Sequence, residues 1–238
     1  MMKWNILEET ADWVAVDKPA GLLSIPDRLG QEPSLKDALK QQYGAIYTVH
    51  RIDRETSGVI VFAKTPEAHQ ALSALFEGRE IEKYYLGLVM GNLINPKDSI
   101  LAPMMEHPGK AGRMITHAKG KAAHTDYEVV ASFKGYSWLR CRIHTGRTHQ
   151  IRLHMQHIGH PIVCDAWYGD GAPILLSSLK KKFKLSKMED AERPILNRLG
   201  LHAEQLIFNW NEKQYTIQAP IPKDLRATLQ QLEKWCAQ

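Results

Sequence analysis

Long apolar runs are missing from this 238-residue chain. Nothing in it approaches the ~20 apolar residues that a membrane-spanning helix requires, so no membrane association is expected. The first residues, Met1 to Glu9, have neither the charge nor the apolar centre of a signal peptide. Cysteine is scarce. Cys141, Cys164 and Cys236 are odd in number, far apart and without a Cys-x-x-Cys pair. Such thiols fit a reduced, cytoplasmic protein rather than a disulfide framework. Internal repeats and low-complexity linkers are absent too, and with 44% apolar residues the expectation is one domain over residues 1–238. No surplus apolar surface helix stands out, so a monomer without an obligate protein partner is expected.

What is present is charge in one place. The net charge is +5, but between His107 and Arg152 nine Lys and Arg face only Asp126 and Glu128. The rest of the chain carries 22 basic and 24 acidic residues. A segment of this kind is either a solvated loop or the footprint of a polyanion-binding face. A second cluster, Lys180, Lys181, Lys182, Lys184 and Lys187, either extends that face or is an exposed loop.

Local patterns give an element order. Trp13 to Val16 reads as a strand ended by the turn residues Asp17-Lys18-Pro19-Ala20-Gly21. Ser34 caps a short helix with Leu35, Ala38 and Leu39 on its apolar face. Val59 to Ala63 lacks polar alternation and predicts a central strand covered on both faces. Thr65-Pro66 opens a helix whose stripe is Ala68, Ala71, Leu72 and Leu75, with Gly78 as its stop. Tyr84 to Met90 is strand-like. Residues 96–124 have weak periodicity and read as a long mobile hairpin or loop. Thr125 to Ala131 and Trp138 to Ile143 pair around Lys134-Gly135. Thr148 is expected to cap a helix with Ile151, Met155 and Ile158 inward. Leu206 to Trp210 and Gln214 to Gln218 suggest a hairpin, and Leu225, Leu229 and Leu232 a last helix. Adjacent strands with single helices between them argue for an α+β fold: a mixed, largely antiparallel central sheet with flanking helices.

The densest chemistry lies in His50-Arg51-Ile52-Asp53-Arg54-Glu55-Thr56-Ser57-Gly58. It sets one short carboxylate among two arginines and a histidine, in a polar loop ahead of a buried strand. Cations on both sides would keep Asp53 ionised. On chemistry alone the loop could hold a catalytic carboxylate, an Asx turn or part of a phosphate site.

This string resembles the active-site loop of the RluA-type RNA pseudouridine synthases, with Asp53 where the family keeps its essential aspartate. Three further segments are similar to that family. They are Asp17-Lys18-Pro19-Ala20-Gly21-Leu22, Lys83-Tyr84-Tyr85-Leu86-Gly87-Leu88-Val89-Met90-Gly91, and Gly146-Arg147-Thr148-His149-Gln150-Ile151-Arg152 with Gly159-His160-Pro161-Ile162. The departures are Ile52 for Leu, Gly87 for Ala, and Cys164 where Gly often precedes the aspartate at Asp165. The chain also begins almost directly at the catalytic region, which implies a compact member without an extra N-terminal RNA-binding domain.

The resemblance implies uridine-to-pseudouridine isomerisation in tRNA or rRNA, without cofactor, on a uridine drawn out of its stack. It implies Asp53, Tyr85 and Arg152 as catalytic residues, with Arg152 orienting the carboxylate. Tyr85, rather than Tyr84, aligns with the family's tyrosine. Arg51, Arg147 and His149 are expected on RNA, and Lys119 and Lys121 in the basic segment with them. Asp53 attacks either the ribose or the base, and a covalent intermediate would divide a difficult exchange into two steps. Three other readings compete. His144, His149, His154, His157 and His160 lie close together as a metal site would, but no acidic or Cys ligand accompanies them before Asp165, so no metal is expected. A non-catalytic RNA-binding module would not need Asp53, Tyr85 and Arg152 together. A glycosidase using Asp53 and Glu55 lacks a sugar-stacking aromatic platform.

Overall fold

The strand that follows the Asp53 loop is buried at every position, and its two faces enter two different cores. The structure, a computed structural model, describes residues 4–27, 30–180, 182–184 and 191–237. In chain order it begins with β1 (Asn5–Glu9), β2 (Trp13–Lys18), α1 (Leu35–Tyr43), β3 (Tyr47–Thr48), β4 (Ser57–Ala63), α2 (Pro66–Glu77) and β5 (Glu82–Met90). There follow β6 (Lys97–Ile100), β7 (Met104–Glu106), β8 (Met114–Thr116), β9 (Thr125–Phe133), β10 (Tyr136–Ile143), α3 (Gln150–His157) and α4 (Leu176–Leu179). The hairpin β11 (Leu201–Trp210) and β12 (Lys213–Gln218) and the helix α5 (Lys223–Cys236) complete it. The fold is α+β. Its strands pair mainly antiparallel, and β4 and β11 run parallel. No helix among the described residues is long and apolar enough to cross a membrane.

The chain divides into two compact units, Met1–Tyr85 with His202–Pro220 and Leu86–Leu201 with Ile221–Gln238. In the first, β4 lies between β2 and β11. Val59, Val61 and Ala63 join Trp13, Ala15, Ala68 and Leu72 in one core, while Ile60 and Phe62 join Val14, Val16, Leu35 and Leu39 in another. Helix α2 covers one face and α1 the other, which is why this strand shows no polar alternation. Both helices start where the sequence places them. Ser34 and Thr65 accept the backbone N–H groups of Asp37 and Ala68, and Pro66 occupies the first turn.

In the second unit β10, β9 and β6 are successive neighbours. The turn at Lys134-Gly135 has Gly135 at φ +81°, and Phe133 pairs with Tyr136. Of the two readings of residues 96–124, hairpin or loop, the hairpin is the closer. These residues form β6, which pairs with β9, and the β7–β8 hairpin. Three- and four-residue strands are too short to show periodicity, so composition hid them. Gly120 makes the return possible: a Cβ there would sit 2.6 Å from the Met104 backbone, where Lys121 and Met104 exchange backbone hydrogen bonds of 2.9 and 3.0 Å.

Helix α3 starts at Gln150, and Thr148 is not its cap. His149 occupies that position in the left-handed region, φ 57°, without a side-chain cap. Gln150 satisfies the turn instead: its Oε1 accepts Arg147 N–H at 3.1 Å and the Thr145 hydroxyl at 2.6 Å. The buried stripe is also wider than the periodicity implies, since residues 150 to 155 are all buried while Ile158 is half-buried. Of the second lysine cluster, Lys181 and Lys187 lie outside the described residues.

Candidate active site

The Asp53 loop is rigid because its backbone is tied on both sides. Ser24 Oγ donates to Ile52 O at 2.7 Å and accepts from Ile52 N–H at 3.3 Å. Asp53 O accepts from Thr56 N–H at 3.1 Å. Arg54 O receives both the Lys18 ammonium and Gly21 N–H, each at 2.9 Å. Lys18 is completely buried, and its ammonium also donates to Pro19 O at 2.9 Å and Leu22 O at 2.8 Å. A buried ammonium is tolerable when several carbonyls receive it. The Asp-Lys-Pro-x-Gly turn is therefore a clamp on the Asp53 loop, a role that its sequence did not disclose.

Three residues fix where the loop runs into β4. His50 Nε2 accepts Val61 N–H at 2.9 Å, and its ring stacks on Phe76 at 4.4 Å. Burial first, and then the Lys83 charge, push the His50 pKa down to about 3. His50 is thus a neutral acceptor, not one of the cations that the sequence suggested around Asp53. Ser57 Oγ lies 3.0 Å from His202 Nδ1, both buried. Gly58, at φ +114°, lets β11 approach so closely that a Cβ would fall 2.1 Å from Ala203 O.

Tyr85 is half-buried against the first core, and burial together with the Asp53 charge pushes its hydroxyl pKa up. It therefore keeps its proton, and offers a flat ring and a donor rather than a phenolate. Tyr84 is engaged elsewhere, donating to Glu82 Oε2 at 2.7 Å. Arg51 is exposed, as a phosphate contact requires, whereas Arg54 pairs with Glu32 at 2.8 Å.

In the second unit the centre is Arg152. Its Nε and Nη2 donate to the two oxygens of Asp165 at 2.7 and 2.9 Å. Asp165 Oδ1 also accepts the backbone N–H groups of Trp167 at 2.9 Å and Tyr168 at 3.1 Å. Burial opposes the charge, but the Arg152 guanidinium and these donors hold the Asp165 carboxyl below the usual carboxylate range. Tyr168 accepts Met114 N–H at 2.8 Å, and its hydroxyl meets His149 Nδ1 at 2.9 Å. Asp165 was visible in the sequence only as the residue after Cys164, and its function as the holder of Arg152 was missed. Cys164 sits at φ 59°, the left-handed conformation that explains why Gly is common there. Gly87 lies against Ile162, whose Cδ1 would be 3.2 Å from an added Cβ. His160 Nδ1 caps Met90 O at 2.9 Å beside Gly91.

Arg147 is half-buried and donates from Nε to Ala122 O at 3.2 Å, while Lys119 and Lys121 are exposed. The histidine cluster does not gather as the chain order suggested. His154 is fully buried between Thr125 Oγ1 and Ala102 O, each 3.0 Å away. His144 meets a different neighbour: an acidic group does accompany it, Asp126 of β9, at 2.6 Å, with His124 at 2.9 Å. One potential ligand atom from each of His124, Asp126 and His144 lies within 4.8 Å of the others. Burial opposes the Asp126 charge, yet hydrogen bonds from Ser99, His144 and His124 hold its carboxyl pKa down to about 2.

Comparison with known proteins places this chain. Residues 12–157 match the RNA pseudouridylate synthase family. Over 97% of its length the chain is 32% identical to the ribosomal large subunit pseudouridine synthase D of Buchnera aphidicola subsp. Schizaphis graminum, spanning 73% of that protein. It is 34% identical to the protein of that name from Xanthomonas campestris pv. campestris, over 97% of this chain and 70% of the other. The solved structure of human RNA pseudouridylate synthase domain containing 4 superposes with a TM-score of 0.75 at 25% identity, over 96% of this chain and 93% of that one. The chain belongs to the RNA pseudouridylate synthase family. It is an RNA pseudouridine synthase, an isomerase that acts on uridine in RNA.

Proposed function

We propose that this enzyme converts uridine to pseudouridine in the RNA of the large ribosomal subunit, with Asp53 as the reacting carboxylate. The target is supported by the names of the relatives that align with nearly the whole chain. The observation that carries Asp53 is the loop itself: Ile52, Asp53 and Arg54 are each fixed by backbone hydrogen bonds of 2.7–3.3 Å, so the carboxylate is borne on a preorganised support. The reaction breaks the bond from ribose to ring nitrogen and rejoins the ribose to carbon 5, whose proton leaves while the freed ring nitrogen takes one up. Asp53 attacks and departs, Tyr85 lies flat against a base and keeps its proton, and Arg51 and Arg147 take phosphates. The assignment of Arg152 to the carboxylate is carried by the sequence motif.

Asp53→Asn keeps the shape of the side chain and removes its charge and nucleophilicity. Tritium release from uridine labelled at carbon 5 should vanish, while filter binding of the RNA persists. Substantial turnover by the Asn variant would remove Asp53 from the chemistry. Pseudouridine mapping of total RNA from cells with and without the gene tests the ribosomal target.

A further inference from the structure

Trp167 is 44% exposed, although it stands between buried Asp165 and buried Tyr168. Its backbone N–H is fixed on Asp165 Oδ1 at 2.9 Å, the same carboxylate that holds Arg152. The ring is supported from its own unit. His149 meets it edge-on at 5.1 Å and 88°, the Arg152 guanidinium is 5.9 Å from its centroid, and Gly112 runs along its edge, where a Cβ would lie 3.6 Å from Cη2. Nearby, Arg113 lies over the Tyr168 ring at 5.7 Å, and His107, Lys110 and Arg113 line one cleft. The arrangement is an indole left partly in water, with the Arg152 guanidinium at its face and Gly112, the neighbour of Arg113, at its edge. The chemistry that would cover it is flat, has an apolar face and carries negative charge close by, and an unpaired nucleotide combines all three.

We propose that Trp167 is a stacking platform for an unpaired base of the RNA substrate. This rests on the RNA reading above and adds a recognition residue to it. Stacking accepts any base, so the platform selects RNA whose strand is open at that point rather than a particular sequence. Arg152 beneath the ring and His149 at its edge limit its movement, which lowers the ordering cost of binding.

The test compares wild type with Trp167→Leu and Trp167→Phe, using a short oligouridylate and an abasic ribose-phosphate oligomer of equal length. The two probes carry the same phosphates and differ only in their bases. Trp167→Leu should lose about 5- to 150-fold in affinity for the oligouridylate. Trp167→Phe should retain most of it, and all three proteins should bind the abasic oligomer alike, with one salt slope. Thermal unfolding of both variants checks the packing against Arg152, and the Phe variant keeps a ring there if Leu disturbs it. Equal losses on both probes would overturn the proposal, because the indole would then act through the fold or the charge. An unchanged Trp167→Leu variant overturns it too, leaving the RNA reading intact and the indole to a protein partner. Wild type that binds the oligouridylate no better than the abasic oligomer overturns it as well, since no base is then stacked, and leaves the activity on RNA standing.

Discussion

Arg152 and Asp165 meet through two parallel hydrogen bonds, 2.7 and 2.9 Å long, and their side chains are only 8% and 0% exposed. A pair of this kind is costly to break from one side, because the other charge stays buried. Asp165→Asn should therefore lower stability by about 3–5 kcal/mol. Turnover should fall as well, since the guanidinium loses the fork that sets its direction. Urea unfolding with an unchanged slope and an earlier midpoint is the expected result. The pH sign follows from the lowered Asp165 carboxyl. Its contribution is present above the unfolded carboxylate pKa and is lost as pH falls through the lower folded value. An Asn variant as stable as wild type in neutral and acid buffer would show that the pair contributes no stability.

His50 gives a second pH signature. Its folded pKa is pushed down to about 3 by burial and by Lys83, while in the unfolded chain it is near 6.5. Between those values the unfolded state binds more protons, so stability should fall as pH drops from about 6.5 towards 3. His50→Phe preserves the stack on Phe76 but removes the acceptor for Val61 N–H. It should cost about 1–3 kcal/mol at neutral pH and flatten that slope by one group's share. Buried His154, whose pKa is also lowered, adds a slope of the same sign, so the difference between variant and wild type is the quantity to read. Identical slopes would mean that His50 takes up its proton equally in both states.

Much of this was legible in the chain. The unbroken run from Val59 to Ala63 disclosed a strand with two covered faces, and Ser34 and Thr65 disclosed their helix starts, because burial and capping are local patterns. Asp53 stood out by motif. The supports did not: Lys18, His50 and Asp165 act across gaps of 36, 11 and 13 residues, and nothing at a single position says which carbonyl or amide it will find. His149 misled as well. A Thr before a helix looks like its cap, but the left-handed residue 149 takes that place, and Gln150 supplies the hydrogen bonds from inside.

Gly58→Ala probes the entry of the loop into β4. A Cβ would fall 2.1 Å from Ala203 O and 2.7 Å from Ala203 C, at a φ of +114° that side chains rarely adopt. Both backbone strain and collision act together, so a loss of at least about 2–4 kcal/mol is expected, with β4 and β11 forced apart. Gly44→Ala is the control: φ is +78°, but nothing lies within 4 Å. It should cost about 1–2 kcal/mol from strain alone. Equal losses in the two variants would mean that Ala203 yields to the new methyl group.

Variants at Lys119 and Lys121 test whether binding and chemistry rest on different residues. Both lysines are exposed, and the bonds that hold the segment at Lys121 use its backbone, so changing the side chains leaves the bridge to Met104 intact. The double variant Lys119→Gln, Lys121→Gln should weaken RNA binding and reduce the dependence of log K on log salt by about 0.7–0.9 for each phosphate no longer neutralised. At saturating RNA its single-turnover rate should stay near that of wild type, because neither side chain belongs to the proposed reacting groups. Arg152→Lys should behave in the opposite way. It keeps the charge but loses the two-pronged grip on Asp165, so turnover should fall by roughly 10²-fold with affinity little changed. Salt titrations and single-turnover rates on the two variants decide the division of labour. If Arg152→Lys binds poorly yet reacts normally once bound, Arg152 holds phosphate. If the Lys119→Gln, Lys121→Gln variant keeps the full salt slope, the basic footprint between His107 and Arg152 must act through other residues, with Arg147 the first to examine.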